Sequence, residues 1–339
     1  MSPEVSAVVL AYGDEPYLVD CVDALLASEK VDVEVVLVDN GANAEALRAA
    51  ASRPGVRLQT PSANLGYAGG CNTGARAASA PVLAFVNSDA IVEPGCLTAL
   101  ARAVSPPPVG LATASLRLAQ SPDTLNSAGN PVHFLGFSWA GGYGEAADRH
   151  RSPAPVASVS GATFAVRREV WNDLGGFDEV YFAYGEDVDL SIRCWERGYR
   201  VVFVPDAVSL HHYEFSRNPL KYYLLERNRL VNLLTLYEPR TTRWLVAASV
   251  PVELGLLLVA VRGGWVSQKM QGWRWLLDNR EYLRTRRAAV QASRVTPDRE
   301  ITTMLRGHLD PPDSFGIAVP RFVDTVLSRY WDVVQRRLE

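Results

Sequence analysis

The 339-residue sequence predicts an α/β fold in which a parallel sheet is followed by a C-terminal helical appendage. Three observations carry this reading. Short continuous apolar runs at Ser6 to Ala11, Val33 to Val38 and Val82 to Val86 have the composition of strands buried on both faces. A polar turn at Tyr12 to Glu15 and a helical segment from about Pro16 to Ser28 separate the first two runs, which is the rhythm of a parallel sheet. After Asn218 the texture changes to helical stretches rich in Leu, Tyr, Trp and Arg.

Bulk composition narrows the class. At 48% hydrophobic residues the chain can bury a large core, and a net charge of −3 argues against nucleic acid as the partner of the whole protein. The four cysteines, Cys21, Cys71, Cys96 and Cys194, form no C-x-x-C pair, so neither a disulfide framework nor a zinc site is expected and a reducing cytoplasm fits. Met1 to Val8 lacks the basic and long apolar regions of a signal peptide.

Ligands of such sheets bind beyond the carboxyl ends of the strands, so the residues after each run come next. The second run closes on Asp39-Asn40-Gly41, where Asp39 either forms the turn or accepts hydrogen bonds from a base or ribose. Asn64 to Gly74, NLGYAGGCNTG, reads as a glycine-rich turn before a short helix at Ala75 to Ser79, either a plain turn or a close backbone approach to a ligand. It is not G-x-G-x-x-G, and the first strand ends in AYGDE, which weakens a dehydrogenase reading. The third run ends in Asn87-Ser88-Asp89, placing one carboxylate at a strand end before Glu93-Pro94. From Ser105 to Arg151 the sequence reads as loops and edge strands lining a cleft, with Phe134, Phe137, Trp139 and Tyr143 available for stacking on a ligand or for ordinary packing. Val159 to Val166 returns to strand character.

The densest chemistry lies in Gly175 to His212. Glu186, Asp187 and Asp189 precede an apolar pattern at Leu190, Cys194 and Trp195 that stops at Gly198, so the carboxylates crown a helix N-terminus. One acid there would serve as a cap; two neighbouring acids after Tyr184-Gly185 suit a carboxylate that takes a proton from a hydroxyl. A strand at Arg200 to Val204, a turn at Pro205-Asp206 and a second short strand then lead to His211-His212.

The string GGFDE-x-x-F-x-Y-GEDVDL-x-x-R, the GY that follows and a His after a Pro turn resemble the inverting family 2 glycosyltransferases, over roughly Val5 to Tyr237. The resemblance implies a GT-A fold, a Rossmann-like nucleotide-diphospho-sugar transferase. It implies transfer from a UDP- or dTDP-sugar to a glycan or polyprenyl-linked acceptor in bacterial cell-envelope polysaccharide synthesis. Asp187 would be the catalytic base, and Glu186, Gly161 and Trp139 would contact the acceptor. Ala11, Tyr12, Asp39, Asn64, Gly69, Gly70, Asn72 and Ser88 would contact the donor. Asp89 and His211 would hold Mg²⁺ or Mn²⁺, with His211 preferred to His212 from its offset to Asp187. The N-S-D sequence departs from the family's D-x-D by one acid and is similar to the rhamnosyltransferase and galactofuranosyltransferase-like branch. A catalytically silent nucleotide-sugar-binding homologue is the alternative; Asn87 is the one lesion that would support it.

The chain is expected to divide near Tyr237-Glu238-Pro239 into a transferase domain, residues 1–237, and a helical region, residues 238–339. Trp244 to Val261 is an 18-residue apolar run interrupted by Pro251 and Glu253, better suited to a buried or interfacial element than to a span. Arg262 to Arg294 holds eight basic residues and two acids among Trp265, Trp273, Trp275 and Tyr282. That composition predicts peripheral docking on the inner face of the cytoplasmic membrane, or else a soluble appendage that packs its Trp residues inward. Self-association is compatible with it. A last helix, Pro320 to Arg337, follows Pro311-Pro312.

Overall fold

The computed structural model describes residues 3–213, 218–310 and 320–338. Arg217 and the break at Pro311-Pro312 lie outside them. The first part of the chain forms β1 (Val5–Gly13), α1 (Leu18–Leu26), β2 (Val33–Ala42), α2 (Ala44–Ala51), β3 (Val56–Gln59), α3 (Gly66–Ala77), β4 (Val82–Asn87) and β5 (Ala90–Val92). Then come α4 (Cys96–Val104), β6 (Val109–Leu118), β7 (Ser121–Ser127), β8 (Val132–His133), β9 (Ala154–Pro155), β10 (Thr163–Arg167), α5 (Arg168–Leu174), α6 (Glu186–Glu196) and β11 (Arg200–His211). The remainder holds α7 (Pro219–Thr235), α8 (Pro239–Arg262), α9 (Val266–Asp278), α10 (Arg280–Ser293), α11 (Asp298–Ile301), β12 (Leu305–Arg306) and α12 (Arg321–Leu338).

The chain forms two compact units. The first comprises Met1–Asn130, Ala140–Ala183 and Tyr199–Glu214. The second comprises Pro131–Trp139, Tyr184–Gly198 and Phe215–Glu339, so it gathers α6 and α7 with the C-terminal helices instead of beginning near Tyr237.

In the first unit, strands run in the order β3-β2-β1-β4-β10-β6-β11-β5, with β7 on β6 and β9 on β11. The apolar runs sit where their composition requires: Val5, Ala7, Val8 and Val9 are buried between β2 and β4, to which β1 is parallel. The sheet is mixed, not parallel throughout, because β10 enters antiparallel between β4 and β6. Two local expectations also change. Residues 109–118 form the long interior strand β6, buried along most of its length, not a loosened edge. Pro205-Asp206 does not end a strand; β11 runs on through a bulge in which its pairing with β6 jumps from Val204↔Ala114 to Val208↔Ser115.

The glycine-rich stretch is the helix α3, not a turn. A methyl on Gly70 would overlap the Leu10 side chain, and one on Gly74 would overlap that of Val8. The glycines thus let a helix lie closer to β1 than any side chain would allow, and that contact outweighs their poor helix propensity.

In the second unit, helices α6 to α12 pack with a two-stranded parallel pair, β8 and β12. Glu253, inside the apolar α8, does not face outward: Lys269 Nζ meets its Oε2 at 2.8 Å, Trp273 Nε1 donates to the same oxygen at 2.8 Å, and Arg229 reaches Oε1. Lys269, which has no exposed surface, also pairs with Glu226 at 2.6 Å. This closed network is how a charge is tolerated in an apolar helix.

Candidate active site

The carboxyl ends of β1, β2 and β4 share one edge of the first unit's sheet. Ala11 pairs with Asp39, and Leu10 with Asn87, so Tyr12, Asp39 and the Asn87-Ser88-Asp89 turn are brought to that edge by strand register. Ala11 is buried, Ser88 half-buried, and Tyr12 61% exposed, which leaves a ring face free at the strand end. Asp39 Oδ1 accepts from Gly41 N at 3.0 Å and Ala42 N at 3.1 Å, so that oxygen shapes its own turn. The adjacent Asn40, not singled out from the sequence, is buried and binds Asn64 Oδ1 through Nδ2 at 2.8 Å while accepting from Leu65 N at 2.8 Å. Asn64 Oδ1 also accepts from Gly66 N at 2.8 Å.

Three proposed donor contacts are engaged elsewhere. The Asn72 amide donates to Phe177 O at 2.9 Å and Glu179 Oε1 at 3.1 Å and accepts from Phe177 N at 3.0 Å, clasping α3 to that segment. Gly69 and Gly70 lie buried inside α3, against Leu65 and Leu10. On the acceptor side, the Gly161 carbonyl accepts from Tyr67 Oη. Trp139 belongs to the second unit and is 8% exposed, so most of its ring is packed against protein.

Asp89 meets His211 because β5 folds back antiparallel on β11. That pairing sets Ala90 opposite His211, and His212 N donates to Asp89 O at 2.9 Å. His211 Nε2 then lies 3.3 Å from Asp89 Oδ1. Its Nδ1 lies 2.9 Å from Oδ1 of the buried Asn126 on β7. In the tautomer that donates Nδ1–H to that oxygen, Nε2 keeps its lone pair on the carboxylate side, where it is available to a cation shared with Asp89. His212 instead stacks on Tyr17, ring centroids 3.4 Å apart. Among the described residues no group of three or more His, Cys, Asp or Glu surrounds such a point. Two protein ligands nonetheless fit a hard divalent ion that completes its shell with water and phosphate oxygens.

In the second unit, α6 begins at Glu186 after Tyr184 and Gly185, both in the left-handed region at φ 68° and 84°. Glu186 is buried and its Oε2 has no hydrogen-bond partner among the described residues. Burial, then the charges of Asp187 and Asp189, push its carboxyl well above the usual range. Asp187 is half-buried and accepts from Val188 N at 2.8 Å. Asp189 has a separate, structural role. Although burial opposes ionisation, Arg193 and Arg286 hold its carboxyl below the ordinary value.

The profile of the glycosyltransferase-like family 2 matches residues 3–245. The N-acetylglucosaminyl-diphospho-decaprenol L-rhamnosyltransferase of Mycobacterium tuberculosis is 32% identical over 238 residues, covering 62% of this chain and 77% of that protein. The O-antigen biosynthesis protein RfbC of Myxococcus xanthus is 31% identical over 229 residues, 64% of this chain and 18% of its own length. Among solved structures, S. aureus TarS 1-349 with UDP-GlcNAc superposes at TM-score 0.53 and 15% identity, covering 99% of this chain and 92% of that one. The mannosyltransferase PcManGT of Pyrobaculum calidifontis, in complex with GDP-Man and Mn²⁺, does so at 0.53 and 16%, covering 99% and 87%.

Proposed function

This chain belongs to the glycosyltransferase-like family 2 and is a glycosyltransferase of GT-A fold, and we propose on that premise that it transfers one sugar, with inversion, from a UDP- or dTDP-sugar to a lipid-linked saccharide of the bacterial envelope. The observation that carries this is the Asp89–His211 pair held by Asn126 at the sheet's carboxyl edge. Asp187 takes the proton of the acceptor hydroxyl as its oxygen attacks the anomeric carbon opposite the leaving diphosphate. The neutral Glu186 donates a hydrogen bond to the acceptor. Tyr12 and the free oxygen of Asp39 receive the nucleoside. Mg²⁺ or Mn²⁺ bound by Asp89 and His211 would neutralise charge on the diphosphate. The acceptor class is supported by the mycobacterial relative, whose name gives a decaprenol-linked substrate, and Mn²⁺ by its presence with nucleotide sugar in PcManGT.

We also propose peripheral membrane docking through α8. The helix has a mean hydropathy of 2.1 over its apolar window, and Val250, Leu254, Leu258 and Val261 are exposed. The basic segment contributes less than its composition suggests, because Lys269, Arg286, Arg287 and Arg294 turn inward to carboxylates and carbonyl groups.

The deciding experiment measures thermal shifts with UDP and dTDP, with and without Mn²⁺, then turnover of a decaprenyl-diphosphate acceptor by wild type and Asp187→Asn. A metal-dependent rise in Tm and a loss of about 10²-fold to 10⁴-fold in kcat with retained nucleotide binding support the reading. Near-normal turnover by Asp187→Asn refutes the base assignment.

A further inference from the structure

Both ends of α6, whose first turn carries Asp187, are tied to a stretch about a hundred residues downstream. At the front, Asp189 is fully buried and paired with Arg193, whose Nη2 and Nε lie 2.7 and 2.9 Å from Oδ2. Arg286 of α10 reaches the other oxygen, Oδ1, through Nη2 and donates Nε to Thr235 Oγ1 at 3.3 Å. At the back, the Glu196 carbonyl accepts from Val295 N at 2.8 Å and Thr296 N at 2.9 Å. The Glu196 carboxylate meets Arg294 at 2.8 Å, and Arg197 donates to Ser293 O at 2.8 Å. Arg193 and Arg286 take one oxygen each of this buried carboxylate, so removing Arg286 leaves Oδ1 without its cation while Arg193 still neutralises the charge, and the tie between α6 and α10 is lost.

We propose that Arg286 is a positioning residue for the transfer reaction: it fixes the first turn of α6, and with it the Asp187 carboxylate, and its charge offsets that of Asp189. The inference rests on the reading of Asp187 as the base. Among the described residues, the charges around this turn include Glu186, Asp187, Asp189 and Arg193 on α6 itself, Arg286 on α10, and Lys221 of α7, which lies 5.2 Å over the Tyr184 ring. Farther along α6, Glu196 faces Arg294 and Asp298. Removing one cation from a turn with three carboxylates makes each of them harder to ionise. The acid limb of the kcat–pH profile therefore moves upward when Arg286 loses its charge.

The test compares Arg286→Gln, Arg286→Lys and Asp187→Asn in the full chain. Arg286→Gln lowers kcat by about tenfold to a hundredfold through misplacement of the base, with the donor KM within about twofold and the acid limb shifted up. Arg286→Lys keeps the charge but not the two-pronged fork, so the acid limb returns to its wild-type position while kcat recovers only in part. A wild-type kcat and pH profile in Arg286→Gln, with Asp187→Asn inactive, overturns the inference and leaves the base assignment standing. An active Asp187→Asn overturns the base assignment itself. Should Arg286→Gln fail to fold, Arg286→Lys decides alone: wild-type kcat overturns the inference, and reduced kcat with an unmoved acid limb supports it.

Discussion

Asn126 holds the Nδ1 edge of His211 at 2.9 Å, and this contact between β7 and β11 fixes which imidazole nitrogen faces Asp89. Replacing Asn126 by Leu removes the orienting acceptor without touching either proposed ligand. Calorimetry of UDP or dTDP with Mn²⁺ is expected to show metal-dependent affinity falling by about 10-fold to 100-fold. His212→Ala, which removes a ring stacked on Tyr17, leaves the metal dependence in place. Equal losses in the two variants would show that Asn126 only supports the local fold.

Glu186 makes stability depend on pH with a definite sign. Its carboxyl is raised well above the ordinary 4.5, by burial first and then by its acidic neighbours. The folded chain therefore keeps a proton that the unfolded chain has lost, so the contribution is fully present below about pH 4.5 and is lost as pH rises through the folded value. Glu186→Gln mimics the neutral form, and its Tm relative to wild type is expected to increase from pH 4.5 to pH 8. A constant difference across that range would mean that Glu186 is ionised in the folded protein.

Gly74→Ala sets two effects against each other. Alanine improves helix propensity by about 1 kcal/mol, whereas the new methyl collides with Val8, a buried β-branched side chain that cannot swing aside. Overpacking of this kind costs roughly 1–3 kcal/mol, so the net change is destabilising. Urea denaturation is expected to show the loss in Gly74→Ala and its partial reversal in Val8→Ala/Gly74→Ala, since contacting residues couple. A more stable Gly74→Ala would place α3 farther from β1.

Docking through α8 predicts that apolar residues outweigh charge. Arg262, Arg274, Arg280 and Arg284 are the exposed basic residues of the 262–294 segment, and Arg274 already pairs with Asp278. Co-sedimentation with anionic vesicles is expected to weaken moderately with salt and to be lost in Leu254→Asp/Leu258→Asp, whose positions are 60% and 59% exposed. Binding that vanishes in salt yet survives the double substitution would assign docking to the basic residues instead.

The buried strands, the start of α6 at Glu186 and the strand-end position of Asp89 were legible in the sequence, because apolar runs and helix starts are set within a few residues of chain. The same local rules misread Asn64 to Gly74, where glycine disfavours a helix in isolation and only the contact with Leu10 and Val8 reverses the balance. No local signal marks Asn126, which reaches the site because β7 pairs with β6 and β6 with β11, so that its side chain meets that of His211, 85 positions away. Nor does composition separate a basic residue facing solvent from one paired inside: Arg286 reads like Arg284, and packing against Asp189 tells them apart. Register and packing couple distant residues, so they decide which side chains meet; local propensity decides only which elements exist to carry them.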